Sequence, residues 1–135
     1  MVPQPCSIVI TFIVGLPASG KTTYARTLPG TLLDDFASQK SLSIPKLPET
    51  GDLVLTDPKL CHPFSRGVVA EFVRLQRPVD EFRWIFFAND PAQCLENSRA
   101  EDRGGKEVDG YIRMMTKWYT IPEGAETIPV WRPAK

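Results

Sequence analysis

An α/β domain built on a doubly wound, mostly parallel sheet of five strands is what this sequence predicts, and three observations lead there. Apolar runs rich in β-branched and aromatic residues alternate with amphipathic stretches, the βαβ order that yields a parallel sheet with helices on both faces. The first of these runs feeds directly into the glycine-rich stretch GLPASGKTT, residues 15 to 23, and then into a segment free of Gly and Pro. With 135 residues, the chain is near the commonest size of one domain able to bury a core without disulfides. We therefore read residues 1–135 as a single domain.

Ser7 to Val14 has the pattern of a strand covered on both faces. Lys21 to Leu28 reads as a helix that Pro29-Gly30 stops. Thr31 to Leu33 is a short strand ending at Asp34-Asp35. Residues 43–52, SIPKLPETGD, hold two prolines and a glycine and read as a surface connection. Leu53 to Thr56 is a strand ending at Asp57. Over residues 65–75, apolar Val68, Val69, Phe72, Val73 and Leu75 interleave with Arg66, Glu71 and Arg74, as on an amphipathic helix. Phe82 to Phe87 is the fourth strand, and Pro91 suits the first turn of a helix that Gly104-Gly105 ends. That stretch, about 91–106, is read as a short helical lid. Residues 108–119 suggest another helix, and ETIPVW a last strand whose proline favours a sheet edge.

The chemistry starts at GLPASGKTT, which matches G-x-x-x-x-G-K-[ST] through Gly15, Gly20, Lys21 and Thr22. Such a loop aims consecutive backbone N–H groups at phosphate oxygens, and the helix that follows adds its positive dipole end. The two glycines stand where a Cβ would deny the backbone its path. The cradle is assigned to Gly15, Ala18, Ser19, Gly20, Lys21, Thr22 and Thr23; Lys21 reaches the β and γ phosphates and Thr22 offers Mg²⁺ a hydroxyl. ATP and Mg²⁺ are the implied cofactors. An accidental match is the blander reading, but a strand before the loop and a helix after it are both legible.

Ligands of open parallel sheets bind at the carboxyl ends of the strands, which makes Asp34, Asp35 and Asp57 informative. Each also has an ordinary reading, as a helix cap for the pair and as a turn residue before Pro58 for Asp57. Arg99 and Arg103 are four apart, so a helix turns both to one side, where they could cover the nucleotide and neutralise a transferring phosphoryl group. Their ordinary reading is a solvated face paired with Glu96, Glu101 and Asp102.

Other classes are disfavoured. Sixteen basic residues balance sixteen acidic ones, so there is no global pull toward nucleic acid or membrane. Cys6, Cys61 and Cys94 are odd in number and widely spaced, which suits reduced thiols in a cytoplasmic protein and not a zinc site shared with His62. No basic residue precedes the first apolar run, so it reads as a core strand and not as a secretory signal. No stretch has the apolar length of a membrane span, and no membrane partner is expected.

GLPASGKTT, the strand ends LLDDF and VLTDPKL, and the lid-like NDPAQCLENSRAEDRGG, in this order, resemble the small P-loop kinases grouped around bacteriophage polynucleotide kinase. Some phage kinases of that group phosphorylate hydroxymethyl pyrimidines within DNA. The resemblance runs from about Ile8 to Trp118, with the loop the most specific part. It implies a P-loop kinase fold and an ATP-dependent transfer to a hydroxyl of a nucleic acid, DNA by preference. It further implies Asp34 as the base that accepts the hydroxyl proton, with Asp35 second, Asp57 near the metal and acceptor, and Arg99 and Arg103 as lid arginines. There is one departure: polynucleotide kinases carry an arginine three residues after the base to hold the acceptor's phosphate, and this chain has Ala37. Lys40, Lys59 or Arg66 would have to serve instead. Two alternatives stay open, a small-metabolite or nucleoside kinase and an ATP-binding switch that transfers nothing.

Overall fold

A computed structural model describes residues 8–34, 46–79, 81–100 and 105–132, with residues 105–107 described by their backbone alone. Five strands, β1 (Ile10–Val14), β2 (Thr31–Asp34), β3 (Leu53–Thr56), β4 (Arg83–Phe87) and β5 (Glu126–Ile128), form one sheet in the order β2-β3-β1-β4-β5. Every pairing is parallel. The helices are α1 (Lys21–Ala25), α2 (Pro63–Gln76), α3 (Pro91–Ala100) and α4 (Gly105–Trp118), and a 3₁₀ turn spans Pro58–Cys61.

The central strands β1 and β3 are buried at every position, as their unbroken apolar runs require of strands covered on both faces. Alternate residues of β1 serve different layers. Ile10, Phe12 and Val14 pack with Val69 and Val73 of α2 and with Ile112 and Met115 of α4, while Ile13 packs with Ala25 on the opposite side. Phe12 is stacked on Trp84 at 4.3 Å between ring centroids. Strands β2 and β5 lie at the two edges and stay partly exposed, so the proline after β5 costs no interior hydrogen bond. The parallel register brings the carboxyl ends of β1 to β4 together, with Val14 beside Phe86 and Asp34 beside Thr56.

Several boundaries differ from the sequence reading. β1 begins at Ile10, α1 stops at Ala25, and β2 runs on to include Asp34. α2 starts earlier, at Pro63, because His62 caps it: its Nδ1 accepts the Phe64 N–H at 3.1 Å. The phase of α2 also differs, for the buried residues are Val69, Ala70 and Val73, whereas Leu75 is 78% exposed and Phe72 38%. At 100° per residue, five apolar positions span a wider arc than the core accepts. α3 is described as far as Ala100 and α4 from Gly105, and Gly104 lies outside the described residues. α3 itself is anchored through the buried side chains of Gln93, Cys94, Asn97 and Ser98. Residues 101–104, the centre of the lid reading, lie outside the described residues.

Candidate functional site

The end of β1 turns into the glycine-rich loop, whose backbone takes left-handed values at Ala18 (φ 64°) and Gly20 (φ 98°). A Cβ at Gly15 would stand 2.7 Å from Ser19 Oγ and 3.0 Å from Phe87 Cβ, and one at Gly20 would stand 2.6 Å from Trp131 Cβ. At Gly20 both the φ and the contact demand glycine, and at Gly15 a side chain would crowd Ser19 and Phe87. The loop encloses a cavity of about 60 Å³ lined by Ala18 to Thr23 and Trp131. Ser19 is fully buried there, and its hydroxyl has no hydrogen-bond partner among the described residues. An orphaned hydroxyl in a cradle too tight for side chains fits an anion oxygen as the missing partner. The Lys21 side chain is largely buried along the same loop, with Nζ donating to Leu16 O at 3.0 Å.

Beside the cradle stands Asp34, whose carboxylate is held from two sides. Thr22 Oγ1 donates to Oδ2 at 2.9 Å, and Thr56 Oγ1 donates to Oδ1 at 2.5 Å. The second contact follows from register, since Asp34 and Thr56 are paired neighbours on β2 and β3. Two fixed hydroxyl donors leave one lone pair free on each carboxylate oxygen. A second cavity, about 200 Å³, lies between Pro17, Lys21, Thr22, Asp34, Pro58 and Val108. The loop lysine, the Thr22 hydroxyl and a carboxylate thus share one space.

The other residues singled out in the sequence fare differently. Asp57 is fully buried and its Oδ1 accepts the Lys59 N–H at 2.8 Å, so it caps the 3₁₀ turn, the ordinary role considered for it. Arg99 Nη2 lies 3.6 Å from Asp109 Oδ2 of α4, an ion pair between an exposed guanidinium and a largely buried carboxylate that is none of the three acids considered. Arg66 is bound into the scaffold, with Nε donating to Leu60 O and Nη2 to Thr120 O, both at 2.8 Å. Asp35, Ala37, Lys40 and Arg103 lie outside the described residues. Among the described residues, no three His, Cys, Asp or Glu stand together to hold a metal. Mg²⁺ does not need such a cage, because it is held by one or two protein oxygens together with phosphates, and Thr22 with Asp34 offers those oxygens.

Sequence reading missed Thr56 and Trp131. Trp131 donates its N–H to Ser19 O at 3.0 Å and forms one wall of an apolar groove of about 370 Å³ running from the cradle between Tyr24, Phe87, Ile128 and Pro129. A flat aromatic and aliphatic slot beside a phosphate cradle suits a nucleobase. Under the loop, burial pushes the Cys61 thiol up to about 11 and the Cys94 thiol up to about 12, so both are neutral at ordinary pH. Burial also raises the Tyr119 phenol, whose hydroxyl donates to the carbonyls of Val14 and Phe87 at the ends of β1 and β4.

No protein-family model matches the chain, and no curated protein sequence does. Solved structures do. A gluconokinase from Sinorhizobium meliloti 1021 superposes with a TM-score of 0.61 at 13% identity, covering 93% of this chain and 84% of that one. The protein APE1195 superposes with a TM-score of 0.59 at 17% identity, covering 92% and 85%. At such identities the likeness is one of fold, and the fold is the α/β P-loop kinase type.

Proposed function

We propose that this chain is an ATP-dependent kinase that transfers the γ-phosphate to an alcohol hydroxyl. The observation that carries the reading is Asp34: its carboxylate touches the Thr22 hydroxyl of the phosphate loop and faces the cavity that Lys21 also lines. The two threonine hydroxyls orient that carboxylate toward the shared cavity, where it would meet the proton of an attacking hydroxyl. The orphaned Ser19 hydroxyl and the two glycines without room for a Cβ support phosphate as the loop's ligand. The base would lie against Trp131 and Tyr24.

The residues have separable tasks in this scheme. Backbone N–H groups and Lys21 hold the β and γ phosphates, and Asp34 takes the proton of the attacking hydroxyl at one of its free lone pairs. Thr22 would hold Mg²⁺, which when bound would neutralise phosphate charge. Arg99 would turn to meet charge on the transferring group, giving up its 3.6 Å contact with Asp109, and Arg103, outside the described residues, is assigned the same task. Asp57, buried as a cap, supports the metal side only indirectly in this scheme. Within the lid reading of about 91–106, residues 91–100 form α3, held by buried side chains, and 101–104 lie outside the described residues.

The acceptor has two readings. The sequence motifs favour a hydroxyl on DNA, either a 5′ end or a hydroxymethyl pyrimidine. Ala37 in place of an arginine, Arg66 tied into the scaffold, and a gluconokinase among the structural neighbours favour a small polyol or sugar equally well. A γ-³²P transfer assay with 5′-hydroxyl oligonucleotides, hydroxymethylated DNA, nucleosides, gluconate and other sugars decides between them. Transfer to one class names the acceptor. Tight Mg-ATP binding with no transfer to any acceptor turns the reading into a switch.

A further inference from the structure

Asn97 is fully buried, and its amide reaches three separate parts of the chain. Nδ2 donates to Ala18 O at 2.9 Å and to Trp131 O at 2.7 Å, and Oδ1 accepts from Gln93 Nε2 at 2.9 Å. Both amide protons are used, and both go to carbonyls at the site. Trp131 completes the clamp by donating its own N–H to Ser19 O at 3.0 Å. Two successive carbonyls of the phosphate loop, those of Ala18 and Ser19, are therefore held by donors from outside the loop.

A phosphate cradle needs its N–H groups turned inward, and in a trans peptide the carbonyl then points the other way. A carbonyl turned away from the cradle into a buried setting needs a donor of its own. Asn97 supplies it at Ala18, the one non-glycine with positive φ among the described residues, while the N–H of the same peptide, that of Ser19, donates to Leu16 O at 3.2 Å, so Asn97 fixes the turn that sets up the cradle. The Ser19 carbonyl, fixed on Trp131, turns the Gly20 N–H to the opposite side. Because Asn97 also grips the Trp131 backbone carbonyl, the shape of the cradle depends on one side chain that ties it to α3 and to the segment after β5.

We propose that Asn97 is a positioning residue: its amide locks the loop with carbonyls outward and ties that form to α3 and to the segment carrying Trp131. The proposal rests on the reading of the loop as a nucleotide cradle for its effect on ligands, but not for its effect on the loop itself. An ordinary buried amide would contribute to stability alone and would not distinguish a phosphate-bearing ligand from its nucleoside.

The test uses the full chain with Asn97→Ala. Hydrogen exchange of residues 15–23 in the ligand-free protein is compared with wild type, and calorimetry measures Mg-ATP and adenosine. Loss of the two carbonyl contacts is expected to speed exchange in the loop and to weaken Mg-ATP by about tenfold or more, with adenosine within about twofold. Unchanged loop exchange overturns the proposal, and so does an equal loss of ATP and adenosine. If wild type binds no Mg-ATP, the nucleotide reading fails while the exchange comparison still decides on Asn97. Should Asn97→Ala not fold, Gln93→Met removes the amide that holds Asn97 Oδ1 and is expected to give the same pattern at smaller amplitude. A flat result for that variant in exchange and in binding also overturns the proposal.

Discussion

Lys21 and Asp34 carry the two sharpest expectations, because each faces the same cavity with an opposite charge. Replacing Lys21 with Ala removes a point charge from a partly desolvated phosphate site, so transfer is expected to vanish and ATP affinity to fall. Full retention of activity would show that the loop holds something else. Asp34→Asn is nearly isosteric, and the hydroxyls of Thr22 and Thr56 can rotate to meet an amide. Its expected effect falls on the step that moves the proton: Mg-ATP binding near normal, and transfer down by about 10² to 10⁴. Equal losses in binding and in transfer would make Asp34 a metal-side residue and not a base. Asp35→Asn is expected to lose much less, since the contact to Thr22 belongs to Asp34. The candidate base was legible in the sequence only as the pair Asp34 and Asp35, because a strand end cannot be placed to one residue from pattern alone. Its pairing with Thr56 was not legible at all. That contact joins residues 22 apart in sequence and exists only once β2 and β3 are in register.

Elements place these side chains, and two of them can be probed apart from the chemistry. The turn entering β2 depends on Gly30, where φ is 115° and a Cβ would stand 2.8 Å from the Asp52 carbonyl oxygen. That oxygen also accepts the Thr31 N–H, so it cannot withdraw without releasing β2 from its first contact. Gly30→Ala is expected to destabilise the fold by about 2 kcal/mol or more, read as a lower urea midpoint at unchanged slope. A midpoint equal to wild type would mean that the turn yields. On the other side of the sheet, α3 and α4 share the Arg99 to Asp109 pair. Arg99 is 65% exposed and its contact with the more buried Asp109 is long, so the pair contributes about 1 kcal/mol at most and Arg99→Ala should change stability little. If Arg99 acts on charge developing in the transition state, turnover should fall more than ATP affinity does. Unchanged turnover returns Arg99 to the solvated face. Periodicity located α2 but misjudged its phase, because Phe72 and Leu75 are apolar without being core, and sequence pattern does not say which part of a wide apolar arc faces inward.

The assembly as a whole was legible where order along the chain decides it. Alternating elements and one loop of fixed spacing led to the parallel sheet, and a proline in the last run led to the edge placement of β5. What closes the site was not legible, since Asn97 to Ala18 and Trp131 to Ser19 are contacts between distant segments with no local signature. The two thiols beneath the loop belong to the same class, and they give the folded chain a measurable dependence on alkali. Cys61 and Cys94 are fully buried, and burial raises them from an ordinary value of 9.0 to about 11 and about 12. The folded chain therefore keeps two protons that the unfolded chain releases above about pH 9. Stability is fully present below that pH and falls as pH rises toward the folded values. One unit above the unfolded value, each thiol costs on the order of 1 kcal/mol, and Tyr119 adds a loss of the same sign at higher pH still. Tm at pH 10 is thus expected to lie about 5–10 °C below Tm at pH 8. Replacing Cys61 and Cys94 together with Ala lowers stability at every pH through the cavities left behind, yet it should remove at least half of the difference between the two pH values. The comparison of differences is insensitive to that constant offset. An equal fall from pH 8 to pH 10 with and without the thiols would assign the alkaline loss to other groups.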